Sequence, residues 1–200
     1  MEKVLLATKN QGKARELSLL IGSPNWEFTT PAQEGIELEV EETGNTFEEN
    51  AIIKARAFAR ASNFMALADD SGLEVDALDG APGVFSARYA GPRASDKERN
   101  DYLLSKLAGV PWEERRARFR CVIAIACDDE EPVLCEGECL GMIALEPKGE
   151  NGFGYDPVFW LPEFGRTMAE LPLGKKNEIS HRGRAARLAR LHMAARLGSE

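Results

Sequence analysis

Two β-rich runs, Ala117 to Cys127 and Val133 to Leu145, are separated only by the turn-forming stretch Asp128 to Pro132. Parallel neighbours need a crossover of about a dozen residues or more, so a connection this short imposes an antiparallel hairpin. The rest of the chain alternates differently. Lys3 to Thr8 reads as a strand, Lys9-Asn10-Gln11-Gly12 as a polar turn, and Lys13 to Ile21 as a helix with Leu17, Leu20 and Ile21 inward. Trp26 to Thr30 reads as a second strand, followed by an acidic loop from Gln33 to Asn45. Strands alternating with helices, interrupted by one hairpin, predict an α/β (α+β) protein with a mixed sheet.

The helix signals are local. Thr46-Phe47-Glu48-Glu49 has the spacing of a capping box, with Glu49 reaching back to the Thr46 N–H. Phe47, Ala51, Ala55, Phe58, Ala59 and Ser62 then recur as a buried stripe that ends near Asn63. Ser95-Asp96-Lys97-Glu98 is a second capping box, opening a helix that Gly109 and Pro111 close. Val158 to Leu161 reads as a strand, and Ser180 to Leu197 as a terminal helix with Leu188, Leu191 and Ala195 inward.

The stretch Ala66-Leu67-Ala68-Asp69-Asp70-Ser71-Gly72 brings a buried strand, Met65 to Ala68, to two adjacent carboxylates, a hydroxyl and a glycine turn. Crowded carboxylates repel and hold protons longer than a free Asp unless a divalent cation compensates them. Either Asp69 and Asp70 cap a loop, or they form a metal or proton-transfer site. The segment from Ser71 to Arg93 that follows is long for a loop, which marks it as functional, although Gly72 to Leu78 can pair as a strand.

Composition limits what such a site can serve. Two hundred residues suit one domain, with or without two lobes, and bury ~70% of the unfolded surface. With 44% apolar and 29% charged residues the chain reads as globular. No apolar run approaches the ~18 residues of a membrane span, and the first residues do not form a signal peptide, so a cytoplasmic location without a membrane partner is expected. A net charge of −8 argues against a grip on a nucleic-acid polymer. Any anionic ligand needs a local cluster of cations. Cys121, Cys127, Cys135 and Cys139 lack C-x-x-C pairing and read as small buried hydrophobes, though even spacings leave a metal cluster conceivable.

Three polar segments supply such a cluster: Thr8 to Lys13, Phe153-Gly154-Tyr155-Asp156, and Lys175-Lys176-Asn177 running into Ser180-His181-Arg182-Gly183. Cations in the first turn of a helix oppose its dipole, a cost that anion binding explains. Phe153 and Tyr155 are either core aromatics or stacking faces. Lys and Arg, carboxylates, aromatic faces and glycine turns together are the parts of a nucleotide-phosphate site with a metal.

Over nearly its whole length the chain resembles the inosine triphosphate pyrophosphatase, or HAM1-like, nucleoside triphosphate pyrophosphatases. The resemblance lies in Thr8-Lys9-Asn10-Gln11-Gly12-Lys13, Glu41-Glu42-Thr43-Gly44 with Thr46 to Ala51 and Lys54, and Ala68 to Leu73. It continues in Gly80-Ala81-Pro82-Gly83, Ser86 to Tyr89, Gly152 to Pro157, Lys176-Asn177 and Ser180-His181-Arg182. It implies Mg²⁺-dependent hydrolysis of a purine nucleoside triphosphate, carrying hypoxanthine or xanthine in ribo or deoxy form, to monophosphate and pyrophosphate. It also implies a single two-lobed domain over residues 1–200 with the site in the cleft of an elongated mixed sheet, and a homodimer. By the same resemblance Asp70 is the proton acceptor for the attacking water, and Glu41 and Asp70 lie at the Mg²⁺. Thr8, Lys9, Asn10, Gln11, Gly12, Lys13, Ser71, Phe153, Gly154, Tyr155, Asp156, Lys176, His181 and Arg182 contact the nucleotide.

These residue types suit the chemistry. Attack at the α-phosphorus needs a deprotonated water, positive charge over the departing pyrophosphate and donors along the phosphates. Lys13 and Lys176 supply charge, Phe153 and Tyr155 stacking faces, and His181 and Arg182 donors for a six-position keto oxygen. A Maf-like pyrophosphatase for pyrimidine or modified nucleotides is the enzymatic alternative, and Ser180-His181-Arg182 argues against it. A non-hydrolytic nucleotide sensor has no use for the Asp70 carboxylate. A haloacid-dehalogenase-like phosphatase wants D-x-D spacing, which Asp69-Asp70-Ser71 lacks.

Overall fold

The computed structural model describes residues 2–23, 25–127 and 130–197. Seven strands form one sheet: β1 Glu2–Leu6, β2 Trp26–Thr29, β3 Met65–Val75, β4 Arg116–Ala126, β5 Val133–Ile143, β6 Phe159–Leu161 and β7 Arg166–Thr167. Their order is β2-β1-β3-β4-β5-β6-β7. β1 pairs in parallel with both β2 and β3, whereas β6 runs antiparallel to β5 and β7, so the sheet is mixed as expected. The helices are α1 Gln11–Ile21, α2 Phe47–Ser62, α3 Asp96–Lys106, α4 Leu173–Ile179 and α5 His181–Leu197. None of the described helices is long and apolar enough to cross a membrane. β4 and β5 are sheet neighbours, while the turn expected over Asp128 to Pro132 lies partly outside the described residues.

The chain divides into two compact units. The first comprises Met1–Asp70, Cys121–Gly137 and Arg182–Glu200, and the second Ser71–Arg120 and Glu138–His181. Val4, Leu6, Leu67, Ile123 and Cys135 of the first unit are buried with Leu17 and Ile21 of α1. Leu73, Leu103, Phe119, Phe159 and Met168 centre the core of the second. The four cysteines are free thiols; Cys121, Cys135 and Cys139 are buried and Cys127 half-buried. Burial pushes the Cys121 thiol up to about 12 and Cys135 to about 11, which makes them packing groups rather than nucleophiles.

Three local expectations change. β3 does not end at Ala68 but runs eleven residues to Val75, so Asp69-Asp70-Ser71-Gly72 is strand and not turn. Eight of the nine residues from Met65 to Leu73 are buried, and pairing within the sheet outweighs the weak strand propensity of aspartate and glycine. In α5 the inward stripe is Ala185, Ala186, Ala189 and Met193; Leu188 and Leu191 are exposed at 44% and 66%, and Ala195 is exposed too. Small alanines permit the close approach of helix to sheet that a leucine face would hold off, and both stripes fit a helical period. At the start of α2, Thr46 does accept from the Glu49 N–H, but Glu49 Oε2 receives the N–H of Asn45 at 2.6 Å rather than that of Thr46.

Candidate active site

Alternation along β3 directs Asp69 and Asp70 to opposite faces of the sheet, and their surroundings differ accordingly. Asp69 Oδ2 lies 2.9 Å from Lys13 Nζ and 3.6 Å from Arg182 Nε. Arg182 in turn reaches Glu16 Oε2 at 2.7 Å, which gives a buried chain of alternating charge across β3, α1 and α5. Burial alone would raise the Asp69 pKa, but Lys13 and Arg182 hold it well below the ordinary carboxylate range. The two carboxylates are compensated by different direct ion pairs, Asp69 by Lys13 and Arg182 and Asp70 by Lys54.

Asp70 sits in a second cluster. Its Oδ2 accepts from Asn50 Nδ2 at 3.2 Å and its Oδ1 lies 3.3 Å from Lys54 Nζ. Lys54 also donates to the Asp69 carbonyl at 2.8 Å and pairs with Glu42 at 2.9 Å. Burial raises the Asp70 pKa; Lys54 and Lys13 oppose the rise without cancelling it. Such a carboxylate is a stronger base than an exposed aspartate, which is what abstraction of a proton from water requires. Lys54, despite burial that would lower its pKa, is held above its usual value by Asp70, Asp69 and Glu42.

Asn50 and Lys54 are the functional candidates that reading the sequence for chemistry did not assign. Both lie in α2, one turn apart, and so project from the same face. Asn50 is fully buried within the apolar stripe, and its Oδ1 accepts from the Gly44 N–H at 2.8 Å while its amide nitrogen donates to Asp70. A buried amide on an apolar face was the available signal.

The residues from Thr8 to Lys13 form the junction of β1 and α1. Asn10 caps α1 by accepting from the Lys13 N–H at 3.1 Å, so the helix starts at Gln11, two residues before the expected start. Thr8 Oγ1 accepts from the Asn10 N–H, and the first turn of α1 holds no acidic residue. An N-terminus without an acid leaves its positive end for an anion. Lys9 is exposed and pairs with Glu39 at 3.1 Å. A pocket of about 670 Å³ opens here, lined by Thr8, Lys9 and Gln11 and by residues of the loop from Thr30 to Glu39.

The second unit holds the glycine loop. Lys176 Nζ lies 2.7 Å from Asp156 Oδ2, with both side chains buried, and 4.7 Å from the centre of the Phe153 ring. The same Asp156 oxygen accepts from the Phe153 N–H at 3.0 Å. Gly152 has φ +79°, and a Cβ there would collide with Asp156 Oδ2, so only glycine permits the turn. Phe153 is half-buried, but Tyr155 is 4% exposed, sits in the core and donates its hydroxyl to the Ser86 carbonyl at 2.9 Å. The stacking face expected of Tyr155 is thus core instead. His181 is buried with its ring stacked on Phe119, centroids 4.7 Å apart. Ser71 is half-buried in β3.

Glu41 is exposed and forms no ion pair among the described residues, and these contain no cluster of three or more ready metal ligands. The donor chemistry nevertheless fits Mg²⁺. Asp70 and Glu42 already converge on one cation, Lys54, and Glu41 adjoins them in sequence. Mg²⁺ keeps several waters and takes one or two carboxylates together with substrate phosphates.

Residues 4–191 match the model of the Ham1 family. A dITP/XTP pyrophosphatase of Desulforamulus reducens is 54% identical over 94% of this chain and 93% of that protein. One of Bacillus subtilis is 48% identical over 92% and 93% respectively. Among solved structures, a HAM1 protein of Coxiella burnetii superposes with a TM-score of 0.90 at 45% identity, covering 98% of this chain and all of that one. The Ham1 protein of Staphylococcus aureus gives 0.89 at 42% identity, with 98% of this chain covered. With a family match spanning both units, the same α/β fold and relatives at about half identity, the chain belongs to the Ham1 family.

Proposed function

We propose that this protein is a nucleoside triphosphate pyrophosphatase that hydrolyses deaminated purine nucleotides, in ribo or deoxy form, to the monophosphate and pyrophosphate. The buried Asp70 carboxylate, held by Asn50 and Lys54 and raised in basicity by its burial, carries this reading. The names of its relatives support the substrate class. Asp70 accepts a proton from the water that attacks the α-phosphorus. Asn50 and Lys54 fix the carboxylate, and Lys13 with the start of α1 holds phosphate oxygens against the negative charge of the chain. Asp70 and Glu41 would hold a Mg²⁺ ion, which when bound supplies positive charge to the departing pyrophosphate. Phe153 offers a ring to the purine, and Asp156 and Lys176 set the loop that carries it. His181 and Arg182, adjacent in the chain, donate to the six-position keto oxygen, so an adenine amino group there leaves them facing a donor. Through the family resemblance we extend the proposal to a cytoplasmic homodimer whose two units form one domain.

Incubation with Mg²⁺ and, separately, inosine, xanthosine, adenosine, guanosine and thymidine triphosphates, with pyrophosphate and orthophosphate resolved, tests the reading. Rapid formation of pyrophosphate and monophosphate from the first two alone is expected. Orthophosphate as product, or equal turnover of all five, would defeat it; turnover of the pyrimidine alone would favour a Maf-like specificity.

A further inference from the structure

Gly154 lies in the middle of the loop that presents Phe153, with φ +64°, and nothing lies within 4 Å of the position a Cβ would take. No neighbour packs where a side chain would project, and two hydrogen bonds hold this peptide. Its N–H donates to Asp96 Oδ2 at 2.7 Å, and its carbonyl accepts from Asn100 Nδ2 at 3.1 Å. The two peptide planes flanking Gly154, one of which begins at Phe153, are thus fixed from one direction. Asp96 and Asn100 are four residues apart in α3, so they share a helix face. We propose that Asp96 and Asn100 are positioning residues that clamp Gly154 and hold the Phe153 ring in place for the purine; this rests on the function proposed above.

Neither residue is needed for the helix itself. The N-terminus of α3 is already closed by the reciprocal capping box of Ser95 and Glu98, and Glu98 supplies a negative charge to the first turn. Asn100 is 4% exposed, and its Oδ1 has no hydrogen-bond partner among the described residues. A buried amide with an unpaired oxygen costs stability, so an apolar side chain of the same shape would serve the fold better. What an apolar side chain cannot supply is the bond to the Gly154 carbonyl. Asp96 is braced in turn by Arg99, with which it pairs, and Arg99 donates to the carbonyls of Ala87 and Ala94 at 3.0 and 2.6 Å. The clamp is thereby anchored to the segment leading into α3.

Calorimetric binding of inosine monophosphate and of tripolyphosphate, which has no base, separates a base-loop role from a general one. Asp96→Ala and the near-isosteric Asn100→Leu should each weaken inosine monophosphate about tenfold, the worth of one ordering hydrogen bond, with tripolyphosphate binding unchanged. In turnover of inosine triphosphate the loss should fall on KM, with kcat within about threefold. Asp96→Asn keeps an acceptor oxygen in place and should restore binding; a role through charge at the helix end would not be restored. If Asp96→Ala fails to fold, Asp96→Asn and Asn100→Leu still decide the matter by the same two ligands. Equal loss on both ligands, or no loss on inosine monophosphate in a wild-type background that turns over inosine triphosphate, overturns the clamp alone. A wild-type protein inactive on all deaminated purine triphosphates overturns the clamp and the proposed function together.

Discussion

Replacing Asp70 with Asn keeps the shape and the hydrogen bond from Asn50 but removes the base. Turnover of inosine triphosphate should fall ~10²–10⁴-fold while triphosphate binding is largely kept, the loss expected of a general base. Near-normal turnover by Asp70→Asn would place the proton acceptor elsewhere. Steady-state kinetics with direct titration of binding reads both quantities. Asp70 could be singled out in the sequence because an acid pair adjoining a buried apolar run is a poor way to build a core. Its partners were harder to read. Asn50 and Lys54 lie twenty and sixteen residues away in the chain, and only the packing of α2 brings them to the carboxylate. Tyr155 and Phe153 look alike in sequence, and only the hydroxyl bond to Ser86 assigns Tyr155 to the core.

Continuation of β3 through the acid pair determines much of the chemistry at the scale of elements. A turn at Asp69 would have left the two carboxylates side by side; a strand gives each its own face and a different lysine as ion-pair partner. The buried chain Lys13, Asp69, Arg182 and Glu16 then ties α1, β3 and α5 together. Because the folded-state pKa of Asp69 is depressed, its contribution to stability is present above the unfolded value of about 3.9 and is lost as pH falls through the folded value. Chemical denaturation of the metal-free protein should show wild type losing stability below about pH 4 more steeply than Asp69→Asn, which lacks that titration. Parallel slopes would mean that Lys13 and Arg182 do not depress this group. The capping residues marked where α2 and α3 begin, since capping is local chemistry. The inward face of α5 was not readable, because alanine and leucine stripes share one period and the choice between them depends on how closely the sheet is approached.

For the molecule as a whole, the short hairpin connection and the alternation of elements sufficed for a mixed α/β sheet, while the residue bounds of its two compact units came only from the structure. Each unit carries its own buried ion pair, Arg182 with Glu16 in the first and Lys176 with Asp156 in the second. Holding charge out of water costs stability that an apolar pair would not, and the groups so held include those proposed to handle the base. The proposed chemistry is defined by which phosphorus the water attacks. Hydrolysis of inosine triphosphate in water enriched in the heavy oxygen isotope, followed by mass spectrometry of both products, identifies that atom. Label in the inosine monophosphate and none in the pyrophosphate is expected for attack at the α-phosphorus; label in the pyrophosphate would contradict the mechanism, whatever the substrate preference.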